Sequence, residues 1–526
     1  MPQSTQNLPR PSAMAYVSLT SSCVWQLSLL FFPAQAGKAF FLIMHIEWKD
    51  YPVPDQFDEL IDEGGIPRPA AAELCRYIET LSDHELTKRK TALELAIKTL
   101  GVTFTVYTEE GNIDRAWPVD LLPRIIASSE WERTEKGLQQ RALALNLFLD
   151  DLYNDQRIVK DKIIPPGIIG ERLLEECSGI KPSWETWAHV CGSDIVRNND
   201  GRFYVLEDNL RIPSGVSYMI ENRLVIKRIF PDLFEHYFVH PVDEYPSELF
   251  DMLSSLTPRP GDEASVVVLT PGIYNSAYFE HAYLAQQMGV DLVEGKDLFV
   301  DNDDHVYMQT IQGLKLIDVI YRRVDDAFLD PETFRKDSVL GTPGLIRAWR
   351  KGNVALANAP GTGVADDKVV YALVPAIIRY YLDEEPLLPN VETYLCLNRK
   401  ERDYVLANLD RLVIKPANES GGYGIMIGPQ ASKKERNEYA EKIKTRPRDY
   451  IAQPTLSLST APIYREDAEI IEPRHIDLRP FILSGERTYV TKGGLTRVGK
   501  KKGSLIVNSS QGGGSKDTWI VQMDKR

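Results

Sequence analysis

The chain has 526 residues, and its 75 aspartate and glutamate residues outnumber its 61 lysine and arginine residues, giving a formal net charge of −14. This balance argues against nucleic acid or an anionic membrane as the main partner, although phosphate ligands need only a few local cations. The length allows about two to four structural units with sizeable cores.

Five widely spaced cysteines without a CxxC motif indicate a reduced chain with no disulfide framework or zinc site, and hence a cytoplasmic location. Residues 13–43 are largely apolar, but polar residues and Pro33 interrupt the run, so no membrane span is expected. We interpret residues 1–43 as a dispensable or misassigned leader, with the working protein beginning near Met44.

Three regions are predicted after the leader. Residues 44–255 combine two helical stretches with a β-hairpin. Residues 262–365 begin with SVVVLT, a loop and AYFEHAYLAQQMG, a β-loop-α-β pattern that predicts a parallel, Rossmann-like sheet. Residues 366–526 alternate strands with long loops, so the fold class is a mixture of α/β and α+β.

The run FYVLEDN (203–209) carries the most informative pattern of the N-terminal region. In a strand, alternate side chains share a face, so Glu207 and Asn209 project together and Asp208 projects to the other side. Asp194 lies on the preceding strand of the same hairpin. Carboxylate and amide oxygens are ligands that Mg²⁺ takes and shares with substrate phosphates. The pattern predicts a magnesium site, with a salt-bridged surface strand as the alternative.

Two lysines farther along the chain are candidates for nucleotide phosphates. Lys415 ends the apolar run LVIK and precedes SGGYG (420–424), where glycine lets the backbone approach a phosphate and lets a loop close. Lys368 follows GTGVADD and opens an apolar helix. The spacing fits neither a Walker A nor a Rossmann glycine loop. A structural turn and a helix-capping charge are the respective alternatives.

Two strands near the C-terminus add polar groups. Gln453 closes DYIAQP, and the strand ending there can offer backbone hydrogen bonds to an adenine edge or simply end in water. In RHIDLRPF, His475, Asp477 and Arg479 alternate on one face. Arg479 is therefore a candidate for neutralising phosphate charge during transfer, with a cross-strand salt bridge as the alternative.

The pattern resembles an ATP-grasp ligase, since it combines two lysines, a glycine loop, an adenine-side strand and a D…ExN metal set. The order is inverted, because the metal residues precede the lysines. The chain resembles the circularly permuted ATP-grasp group, which includes glutathionylspermidine synthetase, and within it most closely the circularly permuted ATP-grasp type 2 family. The resemblance spans roughly residues 48–522 and rests on phrases such as VLEDNLRIPSGVSYM, DVIYRRVDDAFLDP, GNVALANAPGTGVADDK and PRHIDLRPF.

This resemblance implies a circularly permuted ATP-grasp fold with a Rossmann-like (pre-ATP-grasp) subdomain, and ATP and Mg²⁺ as cofactors. It implies Asp194, Glu207 and Asn209 as metal ligands. Glutathionylspermidine synthetase carries an arginine two residues before the metal aspartate, whereas this chain has Gly192, so Arg211 or Arg479 is predicted to take that catalytic role. The implied nucleotide contacts are Lys368, Lys415, Ser420, Gly421, Gly422, Tyr423, Gly424 and Gln453.

The implied activity is ATP-dependent ligation of a carboxylate to an amine or thiol through an acyl phosphate, with release of ADP and phosphate. Small-molecule or peptide acids and amines are the predicted partners, and the oligomeric state stays open. A non-catalytic nucleotide-binding pseudo-ligase, favoured by Gly192, and a small-molecule kinase are the alternatives. The predicted substrate contacts, which can equally be domain-packing residues, are Tyr274, Asn275, Ser276, Glu280, Arg322, Arg323 and Asp325.

Overall fold

The computed structural model describes residues 47–108, 111–169, 174–418, 424–465, 468, 470–505, 507 and 513–523. These residues belong to one compact unit, Met44–Arg526. The predicted leader and four residues of the glycine loop, Ser420, Gly421, Gly422 and Tyr423, lie outside the described residues. Across the described ranges, no helix combines the length and apolar character needed to cross a bilayer.

Local sequence signals set the helices of the N-terminal region. Ser82 and Glu85 form a capping box, because each side chain accepts a hydrogen bond from the backbone N–H of the other. The region contains helices α1 (Ala72–Thr80), α2 (Asp83–Thr99), α3 (Ser128–Tyr153), α4 (Arg157–Lys160), α5 (Pro166–Ile169), α6 (Val216–Ile229), α7 (Pro231–His236) and α8 (Tyr245–Ser254), and strands β1 (Thr103–Thr108), β2 (Gly111–Ala116), β3 (Arg124–Ala127), β4 (Val190–Arg197) and β5 (Phe203–Asn209).

The central region forms the parallel sheet that its β-loop-α-β pattern predicts. The sheet order is β12-β11-β6-β7 and every pair is parallel, so the loops that follow β6, β11 and β12 meet at one edge. The region contains helices α9 (Tyr278–Met288), α10 (Asp326–Leu329) and α11 (Leu345–Arg350), and strands β6 (Val266–Leu269), β7 (Asp291–Val293), β8 (Leu298–Val300), β9 (Val306–Thr310), β10 (Gly313–Leu316), β11 (Val319–Arg322) and β12 (Ala355–Ala357).

In the C-terminal region, a small sheet has its own apolar core. The strands β13-β16-β14-β15 pack with α13 and α14 through buried residues such as Ile414, Met426 and Ile443, separately from the two large cores. The region contains helices α12 (Lys368–Leu382), α13 (Arg399–Ala407) and α14 (Lys433–Thr445), and strands β13 (Tyr394–Leu395), β14 (Leu412–Pro416), β15 (Met426–Ile427), β16 (Tyr450–Pro454), β17 (Thr460–Arg465), β18 (Ile470–Arg479), β19 (Phe481–Ser484), β20 (Thr488–Val490), β21 (Leu495–Val498), β22 (Gly514–Lys516) and β23 (Thr518–Val521).

The largest sheet combines strands from both ends of the chain. Its order is β20-β19-β4-β18-β21-β22, with β5 paired to β4 and β17 paired to β18. The hairpin β4–β5 from the N-terminal region therefore lies among strands that follow it by more than 250 residues. This arrangement brings the acidic hairpin beside the arginine-containing strands β18 and β21, which positions the site described next.

Candidate active site

The hairpin β4–β5 presents the predicted alternation of side chains. Asp194 lies directly opposite Glu207, with a register shift between Asp194 and Ile195. Asp208 points to the other side, where both of its oxygens accept hydrogen bonds from Arg141 at 2.7–2.9 Å. The expectation that Glu207 and Asp208 face opposite ways is confirmed, and Asp208 has a structural partner that leaves it out of the site.

Lys368 lies against the acidic face of this hairpin. It is the first residue of α12, as predicted, and Asp367 caps that helix by accepting a hydrogen bond from Val369 N. The Lys368 Nζ is 3.3 Å from Glu207 Oε2, with both side chains mostly buried. The helix start therefore delivers a cation directly beside a candidate metal ligand.

Lys415 is the second cation of the cleft. It lies on β14 opposite Ile451 of β16 and is only 8% exposed. It has no ion pair or hydrogen bond from its ammonium group to any described residue. Burial, reinforced by Lys368, lowers the pKa of Lys415 to about 8, whereas Glu207 and Asp194 act in the opposite direction. A buried ammonium without a counter-ion is a ready position for an anionic ligand.

The oxygen atoms available for a metal come from Glu207 and Asn209. The Asn209 Nδ2 donates to Gly192 O at 3.0 Å, and its Oδ1 accepts no hydrogen bond from the described residues. No group of three or more His, Cys, Asp or Glu side chains in the described ranges surrounds a common metal position, so the amide is needed. Two hard oxygen ligands beside two lysines fit Mg²⁺ bound together with nucleotide phosphates.

Asp194 is placed differently from the other two predicted ligands. Its carboxylate accepts hydrogen bonds from Arg479, at 2.5 and 2.8 Å, and from Arg497, at 2.7 Å. Burial opposes the charge on Asp194, but the two arginines outweigh it and hold its pKa below the usual range. Burial raises the pKa of Asp477, which also accepts hydrogen bonds from Arg497. Arg497 was not singled out from the sequence, although a lone charge in the apolar strand LTRV was a usable signal.

Gly192 is the position where the chain lacks the arginine of glutathionylspermidine synthetase. A Cβ atom at this position would lie 3.2 Å from Cδ of Arg479 and 3.2 Å from Cβ of Pro213. Arg479 from β18 therefore occupies the space beside Gly192 and reaches Asp194. The role of Arg479 in place of the missing arginine stays a prediction.

Arg211, the other arginine predicted to be catalytic, lines an adjacent cleft of about 440 Å³. Its Nε donates to Asp366 at 2.9 Å and its Nη1 to Asp325 at 3.3 Å, while Nη2 has no hydrogen bond to a described residue. Asn418, three residues after Lys415, also lines the cleft. This volume is within the range of roughly 300–1,000 Å³ that small-molecule sites occupy.

Three predicted substrate contacts are instead packing residues, which corrects the sequence-based prediction. Glu280 is fully buried and accepts hydrogen bonds from Gly215 N and Ser217 N at the start of α6. Arg323 pairs with Glu280 at 3.1 Å. Arg322 is 1% exposed and donates to the carbonyls of residues 324, 358 and 359. Glu280 and Arg323 join the parallel sheet to the start of α6, whereas Arg322 pairs at 2.7 Å with Asp326, which lines the cleft.

The other predicted contacts lie in accessible positions. Tyr274 is 84% exposed, in the loop after β6, with Asn275 and Ser276 beside it. Asp325 lines the cleft with Arg211. In the nucleotide region, the Gln453 side chain is buried and donates to Thr393, while Gly424 has a φ of 65° and accepts a hydrogen bond from Tyr439. Roles for these residues stay predictions.

Replacing Glu280 by glutamine is expected to destabilise the fold without changing substrate affinity. The change leaves the buried Arg323 without its counter-ion, which costs about 3 kcal/mol. Chemical denaturation measures this loss, and steady-state kinetics should give Michaelis constants within about twofold of the wild type. A raised Michaelis constant with unchanged stability would restore Glu280 as a substrate contact.

Comparison with known proteins identifies the family of this chain. The profile of the circularly permuted ATP-grasp type 2 family matches residues 123–499. This chain belongs to that family. An uncharacterized protein of Synechocystis is 54% identical over 480 residues, covering 91% of this chain and 99% of the relative. An uncharacterized protein of Mycobacterium tuberculosis is 49% identical, covering 88% of this chain and 84% of the relative.

Two further proteins that are similar to this chain carry ligase or synthetase names. A Frankia alni protein named "Putative glutamate--cysteine ligase 2-3" is 41% identical over 89% of this chain, which spans only 54% of that protein. The structure of a glutathione synthetase-like effector from Globodera pallida, in its apo form, superposes with a TM-score of 0.54 at 12% identity. The alignment covers 84% of this chain and 98% of that one, and it supports the fold assignment alone.

Proposed function

We propose that this protein is an ATP-dependent carboxylate–amine ligase that works through an acyl phosphate. The observation that carries the proposal is the buried, unpaired Lys415 beside Lys368, facing the oxygen ligands Glu207 and Asn209. Cations that face metal-binding oxygens across one cleft match a magnesium-bound triphosphate, whose charge needs both kinds of partner. Bound Mg²⁺ would neutralise charge on the β- and γ-phosphate oxygens.

The proposed reaction has two steps. An oxygen of the acid substrate attacks the γ-phosphorus, the bond to ADP breaks, and an acyl phosphate forms. The amine nitrogen then attacks the carbonyl carbon, inorganic phosphate leaves, and the nitrogen loses a proton. Lys368 and Lys415 hold the phosphates, and a cationic guanidinium such as that of Arg479 spreads the charge that develops during transfer.

The cleft beside Arg211 is our candidate for the acid substrate. Asp366 and Asp325 fix the guanidinium and leave Nη2 available, and planar guanidinium N–H groups match a carboxylate. Asp366 and Asp367 immediately precede Lys368, so a carboxylate at Arg211 lies near the phosphate-binding residues. The name of the Frankia relative makes glutamate and cysteine the first pair to test, although the match covers about half of that protein.

A phosphate-release assay tests the proposal. We expect free phosphate to form only when ATP, an acid and an amine or thiol are all present, with hydroxylamine trapping the acyl phosphate. Amino acids, short peptides and polyamines provide the screen. A stable phosphorylated product would indicate a kinase, and nucleotide binding without turnover across the screen would indicate a pseudo-ligase. The position of Arg479 beside Gly192 favours the ligase over the pseudo-ligase, because it puts an arginine near the place where the pseudo-ligase hypothesis assumed none.

A further inference from the structure

A network of two aspartates and two arginines, linked in the order Arg479, Asp194, Arg497 and Asp477, adjoins the candidate metal ligands. The carboxylate of Asp194 is 1% exposed and accepts three hydrogen bonds, two from Arg479 and one from Arg497. A carboxylate has about four acceptor positions, so most of the capacity of Asp194 is already used. Asn209, by contrast, has a free amide oxygen among the described residues, and within the same residues Glu207 forms an ion pair with Lys368 alone.

Arg497 is the centre of this network. Its Nε donates to both oxygens of Asp477, at 2.9 and 3.0 Å, and its Nη2 donates to Asp477 at 2.5 Å and to Asp194 at 2.7 Å. Asp477 and Arg497 lie directly opposite each other on β18 and β21, so the strand register fixes their pairing. Arg497 of β21 thus contacts Asp194 from the side of β4 that faces away from β5.

Arg479 is the most accessible member of the network. Its side chain is 13% exposed, against 9% for Arg497 and 1% for Asp194. Its Nε and Nη2 donate hydrogen bonds to Asp194, and its Nη1 donates to Ser214 O at 3.2 Å. The absence of a side chain at Gly192 gives it room. The guanidinium is therefore fixed in one orientation by a carboxylate that is itself fixed.

We propose that Asp194 is a positioning residue for Arg479 and not a magnesium ligand, and that Arg497, braced by Asp477, holds Asp194 in place. A metal ion at Asp194 would place a double positive charge against two guanidinium groups already bound there. The protein's metal ligands are then Glu207 and Asn209, with phosphate oxygens and water completing the shell. The kinetic part of this inference rests on the proposed ligase function, whereas the metal-binding part does not.

The first experiment measures ADP binding by calorimetry while Mg²⁺ is varied, and it needs no turnover. We expect Glu207→Gln to raise the Mg²⁺ concentration that gives half-maximal enhancement of ADP binding by at least about 10-fold, because the change removes a charged oxygen ligand. Asp194→Asn and Arg497→Lys should stay within about threefold of the wild type, since they leave both metal ligands intact. A rise above that limit for Asp194→Asn, or for Arg497→Lys if the first variant does not fold, overturns the proposal.

The second experiment separates positioning from simple stability. Arg497→Lys keeps the charge but loses the forked geometry, so kcat should fall about 10-fold while the Michaelis constant for ATP changes little. Arg497→Met should lower kcat further than Arg497→Lys does, because methionine removes the charge as well as the forked geometry. Arg141→Lys is the matched control, because it weakens another buried Arg–Asp pair, in which Arg141 of α3 contacts Asp208 of the same hairpin. It should lower the unfolding temperature with kcat near the wild type.

The outcomes distinguish this inference from the proposed function. If Arg497→Lys and Arg141→Lys lower the unfolding temperature alike and neither lowers kcat, the network is only structural and the inference fails. If the wild type shows no turnover with any acid and amine, the proposed ligase fails, and the Mg²⁺ dependence of ADP binding still decides whether Asp194 is a metal ligand.

Discussion

Replacing Glu207 by glutamine is expected to lower phosphate release by at least about 1,000-fold, because a site that aligns charge in the transition state loses its anionic metal ligand. Glu207 also pairs with Lys368 and its charge favours the ammonium form of Lys415, so its loss removes an anion that acts on both lysines. We therefore expect metal-free nucleotide to bind at least as tightly as in the wild type while turnover disappears. Phosphate-release kinetics and calorimetry measure the two effects separately.

The matched control for this change is Glu135→Gln. Glu135 pairs with Lys492 and is partly buried like Glu207, but it lies on α3 outside the cleft. Glu135→Gln should leave turnover within about twofold of the wild type, as expected for a partly exposed ion pair. Full activity in Glu207→Gln would show that Glu207 is not a metal ligand. An equal loss of activity in Glu135→Gln would show that the effect is not specific to the cleft.

Replacing Lys415 by methionine is expected to weaken ATP binding roughly 10- to 100-fold, the value of one charge-assisted hydrogen bond to phosphate. Methionine keeps the apolar stem that packs beside Ile451 and removes only the charge. Lys444→Met, on the exposed surface of α14 in the same part of the chain, is the control and should not change affinity. An unchanged ATP affinity in Lys415→Met would exclude the residue from phosphate binding.

The pH dependence gives Lys415 a distinctive signature. In the free protein its pKa is lowered to about 8 from 10.5, and a bound phosphate favours the charged form and raises the pKa again. Binding of ATP should therefore take up protons above pH 8, and affinity should fall as pH rises from that value. Calorimetry in buffers of different ionisation enthalpy measures the uptake, which Lys415→Met should abolish.

The lowered pKa of Lys415 also determines whether the folded protein gains or loses stability as pH rises. Between pH 8 and 10.5 the unfolded chain binds a proton at Lys415 that the folded protein does not, so this residue makes the nucleotide-free protein gain stability as pH rises through that window. Below pH 8 the buried ammonium destabilises the fold. Denaturation of the wild type and of Lys415→Met across this range should therefore converge as pH increases.

Local patterns predicted the elements that carry the site. Alternation in FYVLEDN was enough to separate Glu207 from Asp208, because a strand has a fixed period of two residues. GTGVADDK placed Lys368 at the start of a helix, where Asp367 provides the cap. The parallel central sheet followed from its β-loop-α-β pattern, since such crossovers connect parallel neighbours.

Partners distant in sequence were not predictable in this way. Glu280 and Arg323 carry charges that suit a substrate site, and only their burial against α6 shows them to be packing residues. The only sequence signal for Arg497 is its isolation in the strand LTRV, and its proposed role depends on a contact with Asp194, 303 residues away. An isolated charge in a sequence looks the same whether it faces solvent, a ligand or a buried counter-ion.

The sequence by itself determined the family, the order of the elements and the residue types that can bind a magnesium nucleotide, because these depend on local periodicity and on long family-specific phrases. The tertiary structure alone decided which charges remain available. It paired Asp194 with two arginines and left Lys415 buried without a counter-ion. The reason is physical: the availability of a charge depends on its burial and on its neighbours, and those neighbours include strands more than 200 residues apart.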